Sequence, residues 1–178
     1  MKRISLIICV LLLNNFVRGQ VNNSNKIICS EKEQKIQGNP EPRLIKTCTW
    51  SNYKCISTGE SDYKGRYFWS YKWFKLVNGK FIKIDKSELF TGNSNSLLEV
   101  INKEIKIKFD ELSKDSENKE CLSEIEGLPN YNMDNLEIFL DKDGFTFSYS
   151  LGLSMACLAI DGDFISFTVN KVEPYLKK

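Results

Sequence analysis

The chain contains no histidine. That absence removes the Ser-His-Asp triad, the Cys-His dyad, the histidine general base and imidazole-liganded zinc. Net charge is nearly absent as well. The 25 Lys and Arg against 23 Asp and Glu leave only +2, too little for the concentrated basic patch that marks nucleic-acid binding. There is no internal repeat and no low-complexity tract. The one extended apolar run, residues 4–13, is interrupted by Ser5 and is about half the ~20 residues a membrane-spanning helix needs. What remains is ordinary: 42% apolar residues and a mean hydropathy of −0.32 describe a soluble, globular bulk.

The short apolar run has the context of a secretory signal peptide. Lys2 and Arg3 precede it, Asn14 and Asn15 end it, and cleavage between Gly19 and Gln20 suits the small residue there. Residues 1–19 are therefore expected to be a signal peptide and the mature chain to be secreted or periplasmic, without a membrane span. Losing Lys2, Arg3 and Arg18 turns 25 basic and 23 acidic groups into 22 and 23, a net −1. The 178 residues less 19 leave 159, enough for one domain with a sizeable core.

Cys9 leaves with the leader, so five cysteines remain: Cys29, Cys48, Cys55, Cys121 and Cys157. In an exported chain that number implies up to two disulfides and one leftover thiol. The preferred pairing is Cys48 with Cys55, bracketing a hairpin-like loop, and Cys121 with Cys157, tying a loop to the C-terminal strands. Cys29 is then the leftover, near a mobile N-terminus.

Residues 20–42 are polar and close on Gly38-Asn39-Pro40-Glu41-Pro42. They read as a flexible lead-in with a short strand around residues 26–29, and residues 43–178 as a single domain. Within it, residues 67–77 are aromatic and β-branched and run into Asn78-Gly79, the preferred type I′ turn. A two-residue turn sets Val77 opposite Lys80, Lys75 opposite Ile82 and Trp73 opposite Ile84. One face then carries Tyr67, Trp69, Tyr71, Trp73, Ile82 and Ile84, and the other Phe68, Phe74, Leu76 and Phe81 among Ser70, Lys72, Lys83 and Asp85. The aromatic row fits a stacking platform for sugar or ligand rings, but aromatics at period two beside isoleucines are more often core, and core is the expectation here.

A short helical turn at Ser87 follows. Ser94, Asn95 and Ser96 then offer N-caps to a longer helix whose apolar stripe is Leu98, Ile101, Ile105, Phe109 and Leu112. Leu136, Ile138 and Leu140 alternate before the turn at residues 141–144, and Phe145, Phe147 and Tyr149 alternate after it. Ile165, Phe167 and Val169 make a last strand beyond Asp161-Gly162. Strands, one substantial helix, then strands predict an α+β fold: an antiparallel sheet of hairpins packed against one main amphipathic helix.

Three motifs invite chemistry and fall short. Asp141-x-Asp143-Gly144 resembles the start of a calcium loop, but the glycine comes fourth rather than sixth and strand residues follow at once. Ser51-x-x-Lys54 and Ser61-x-x-Lys64 have a nucleophile-plus-base spacing without the companion elements or a helix to carry them. Glu124 and Glu126 are the closest carboxylate pair for a hydrolase that works without histidine, yet nothing in the sequence sets them across a cleft. No catalytic, metal or cofactor-binding residue is assigned, and no cofactor is expected.

The order of pieces resembles a known extracellular module. "NGKFIKIDKSELF" (78–90), "SLLEVINKEIKIKFDEL" (96–112), "NLEIFLDKDGFTFSY" (135–149) and "ISFTVNKVEPYL" (165–176) are similar to the C-terminal extracellular domain of the RsiV-type, lysozyme-sensing anti-sigma factors. That domain-of-unknown-function family is also attached to some cell-wall deacetylases. The resemblance covers roughly residues 45–176 and implies an α+β module outside the cytoplasm that binds and does not catalyse; in the anti-sigma factor the partner is lysozyme. The sequence shows neither a sigma-binding segment nor a membrane span, so signalling by proteolysis is not implied. "SLGLSMACLAIDGDF" (150–164) keeps only the glycine-turn character of the family's longer loop, and no binding residue carries over. The expected partner is a protein, lysozyme-like, or a cell-envelope component. The alternatives are a carboxylate-dependent envelope hydrolase and a structural envelope protein.

Overall fold

The computed structural model describes residues 26–38, 41–62 and 66–177. The expected signal peptide and its cleavage point at Gly19 and Gln20 lie outside the described residues. Among the described residues, eight strands form two antiparallel sheets. The first is a five-stranded meander in chain order: β1 (Ile28–Gln34), β2 (Arg43–Trp50), β3 (Tyr53–Ser61), β4 (Tyr67–Val77) and β5 (Lys80–Ile84). The second joins β6 (Glu137–Asp141), β7 (Gly144–Ser150) and β8 (Gly162–Phe167). The main helix, α1 (Asn95–Leu112), lies between them in sequence, and two single-turn helices, α2 (Lys119–Leu122) and α3 (Val169–Val172), follow. The fold is α+β, with the hairpins divided between two sheets.

The tight turns set the registers. Asn78 and Gly79 both have positive φ, 50° and 77°, as a type I′ turn demands. Val77 faces Lys80, Lys75 faces Ile82 and Trp73 faces Ile84, the pairing expected from the sequence. Ser51, at φ 52°, turns β2 into β3 with Trp50 against Tyr53. At Gly144, φ is 152°, and a Cβ would stand 1.9 Å from the Phe167 carbonyl oxygen. That glycine exists so that β8 can close on β7, and the Asp141–Gly144 segment is a hairpin turn rather than a cation loop. Among the described residues no group of three or more Cys, Asp and Glu side chains could hold a metal ion.

Strand β6 crosses the inner face of the meander against β2, β3 and β4. The Trp73 ring stacks on Phe145 at 5.7 Å, its indole N–H donates to the Ile138 carbonyl at 2.8 Å, and Trp50 meets Phe145 edge-on. On the other side, α1 buries Leu97, Ile101 and Ile105 toward the second sheet, with Leu98, Phe109 and Leu112 half-buried. β7 is the middle layer, with Phe145 and Phe147 fully enclosed. The tail closes the base. Thr91 N–H donates to the Tyr175 carbonyl, Lys177 N–H to Leu89, and the Tyr53 hydroxyl to the Lys177 carbonyl.

Val169, expected in the last strand, instead opens α3, because β8 ends at Phe167. Two larger expectations also need correction. The lead-in of residues 20–42 is not loose throughout, because residues 28–34 form β1 and pair with β2 along their whole length. The sequence hid this because β1 is an edge strand with polar residues on both faces, so no period-two pattern marks it. The Cys48–Cys55 pairing is also wrong: the disulfide joins Cys29 to Cys48, and Cys55 is a buried free thiol. The second bridge, Cys121–Cys157, is as expected.

Strand geometry explains the first bridge. Cys29, Cys48 and Cys55 are in register on three neighbouring strands. A residue in a middle strand exchanges hydrogen bonds with one neighbour only; the close, non-hydrogen-bonded contact lies on the other side. Two-residue hairpins close on a hydrogen-bonded pair, Trp50–Tyr53, so the parity makes Cys48–Cys55 hydrogen-bonded too. Cys29–Cys48 is then the close pair, with Cα atoms 4.1 Å apart.

Candidate binding cleft

The row Tyr67, Trp69, Tyr71, Trp73 was expected to be core, and the structure divides it. Trp73 is 2% exposed under β6, Tyr71 is half-buried, and Trp69 is 43% exposed. The cause is the finite reach of β6, which covers the inner face near Trp73 and ends at Asp141. Beyond that point the same alternation carries aromatic rings into an open cleft.

The cleft, about 320 Å³, lies between the meander and the second sheet. Tyr71 stacks on Phe139 at 4.6 Å and 7°, and Phe139 meets Phe164 edge-on at 6.2 Å. Trp69 and the exposed Phe164 stand at its two sides. The Trp69 ring lies flat on Gly59, its partner on β3, where a Cβ would come within 3.0 Å of two ring carbons. Buried Ser57 and Thr146 and exposed Ser166 present hydroxyls to it, and Thr146 Oγ1 and Ser166 Oγ share a hydrogen bond of 2.9 Å. A second concavity, about 460 Å³, continues past Lys46 and Trp69 along β1 and β2.

Lys46 Nζ donates to Asp141 Oδ1 at 2.7 Å and lies 3.6 Å from Glu31. Burial favours the neutral amine, but the two carboxylates outweigh it and hold the Lys46 pKa above its ordinary value. Burial likewise favours a protonated Asp141, yet the hydrogen bonds from Lys46 and the Lys142 N–H win and hold that carboxyl below its ordinary value. Burial, with help from Glu137, pushes the Tyr71 phenol to about 12. Lys46, Asp141 and Tyr71 are thus each held in their resting charge state. That suits recognition, whereas general acid–base catalysis wants a pKa brought toward neutrality.

The other residues singled out from the sequence have structural duties. Both carboxylate oxygens of Glu124 accept from Ser154, one from its N–H and one from its hydroxyl, while Glu126 is exposed elsewhere on the loop. Ser51 is the turn residue, and Lys54 lies over the Phe74 and Phe81 rings at 4.7 and 4.2 Å on the outer face of the meander. Lys64 lies outside the described residues. Cys55, in the Trp73 row under β6, is buried, which pushes its thiol up to about 11.

No family model, no curated protein and no solved structure matches this chain. Its reading rests on its own geometry. Sequence reasoning missed Lys46, Ser57, Phe139, Thr146 and Phe164 as partners of the aromatic row. Only the row itself left a signal, because contacts between two sheets have no sequence periodicity.

Proposed function

We propose that the chain is an exported, non-enzymatic binding module whose ligand is a cell-envelope glycan seated in the aromatic cleft. The observation that carries this reading is the set of partly exposed rings, Trp69, Tyr71, Phe139 and Phe164, around buried hydroxyls. Sugar rings present apolar C–H faces to such walls and hydroxyls to such donors and acceptors. Export is supported by the basic-then-apolar leader pattern and by two disulfides, which persist in oxidising compartments.

Titration of soluble peptidoglycan oligosaccharides against the protein, read by tryptophan fluorescence, tests it. Saturable binding that is lost in Trp69→Ala is the expected result. No binding, or binding equally strong in Trp69→Ala, overturns it. Lysozyme is the second probe, because the resemblance to the RsiV-type domain supports a protein partner. Lysozyme capture without any glycan binding would replace the glycan reading with that one.

A further inference from the structure

The net charge near zero conceals a strong separation. Residues 26–92 hold 13 basic and 7 acidic groups, and residues 93–178 hold 9 and 16. On the meander the excess is placed on the outer face, opposite the cleft. The registers put Ile28, Thr49, Lys54, Phe74 and Lys83 in one cross-strand row and Ser30, Thr47, Ile56 and Lys72 in the next. Lys32 and Phe68 lie on the same face further along.

Lys54 and Lys83 flank Phe74 from the two neighbouring strands, about 10 Å apart at the usual strand spacing. Among the described residues none of Lys32, Lys54, Lys72 and Lys83 is in an ion pair, whereas Arg43 is paired with Glu60. No outer-face residue of β2, β3 or β4 is buried, and apolar side chains project between the lysines: Ile28 is 67% exposed and Phe68 62%.

We propose that this face docks on an anionic lipid bilayer. Three features favour that occupant. The unpaired cations are all lysines, compact point charges suited to a diffuse field of headgroups, whereas protein interfaces are enriched in arginine and depleted in lysine. The exposed Phe68, Phe81 and Ile28 would enter the interfacial layer, and a soluble polyanion would leave them in water. Phe74 and Phe81 already carry Lys54 over their rings, so they do not present open faces for stacked bases. The cleft faces away, so the protein could hold a glycan while docked.

Co-sedimentation with phosphatidylglycerol/phosphatidylcholine vesicles tests this. The mature chain, residues 20–178, is compared with its triple variant Lys32→Gln/Lys72→Gln/Lys83→Gln and with a control triple, Lys103→Gln/Lys114→Gln/Lys119→Gln. The control carries the same change in net charge. At about fivefold per lysine near such a surface, the outer-face triple should lose about a hundredfold in partition and the control little. Phe68→Ser should weaken vesicle binding with no effect on heparin binding. Equal losses in the two triples, no binding to anionic vesicles, vesicle binding unaltered by Phe68→Ser, or heparin binding as tight as vesicle binding each overturn the proposal.

Discussion

The three cysteines in register offer the sharpest test of the fold, because the two conceivable bridges make opposite predictions for two single variants. Cys29–Cys48 closes a loop of 19 residues, which in the chain-entropy account constrains the unfolded state by about 3 kcal/mol. A Cys48–Cys55 bridge would span only seven residues and contribute about 2.3 kcal/mol. The structure makes Cys29→Ala the costly change. It removes the bridge and releases the edge strand β1, and at an m-value of roughly 2 kcal/mol/M the urea midpoint falls by about 1.5 M. Cys55→Ala removes one buried sulfur and no bridge, so it costs about 1 kcal/mol. Peptide mapping without reduction should find Cys29 joined to Cys48. Alkylation should reach Cys55 only after unfolding, since the thiol is buried and its pKa is about 11. The register argument is refuted if the costs exchange, with Cys29→Ala near neutral and Cys55→Ala losing a disulfide, or if a Cys48–Cys55 peptide is recovered.

Three further outcomes are expected. Gly59→Ala drives a Cβ against the Trp69 ring at 3.0 Å; the exposed ring can swing away, so glycan binding should weaken while stability changes by less than about 1 kcal/mol in a thermal melt. Gly144→Ala meets backbone at 1.9 Å and a φ of 152°; it should cost about 3 kcal/mol or more, and a wild-type melting temperature would contradict the β7–β8 closure. Asp141 has a depressed pKa in the folded state, so its contribution is present above the unfolded carboxyl value of about 3.9 and is lost as pH falls through the lower folded value. Asp141→Asn should therefore flatten the acid limb of the stability profile measured by urea unfolding between about pH 4 and pH 2.

Much of the fold was legible because two kinds of signal are local. Asn78-Gly79 dictates a turn and hence a register, and that register assigned every residue of β4 and β5 to the face it occupies. The stripe of Ile101, Ile105 and their neighbours likewise announced α1. Illegible were the properties that depend on which elements meet. The polar edge strand β1 has no apolar face to alternate. Leu97 is buried where Leu98 was expected because the second sheet, not the helix, decides which side of the stripe it covers. The disulfide choice was latent in the parity of the Trp50–Tyr53 hairpin, but parity gives an answer only once β1 is known to be a strand.

The aromatic row shows why a choice between core and platform was posed too simply. Alternation along β4 determines that Tyr67, Trp69, Tyr71 and Trp73 share a face; it says nothing of how far the covering element extends. That limit is set by β6, only five residues long and ending where Asp141 meets Lys46. One row therefore serves as core at Trp73 and as an open wall at Trp69. The ion pair at the boundary has a cause of its own. A lysine placed mid-strand on an inner face needs a carboxylate where cover gives way to solvent, and Asp141, last residue of β6, supplies it. Lengthening β6 by two apolar residues would extend the core over Trp69 and close the cleft, so the short strand is as much a part of the site as the rings it leaves uncovered.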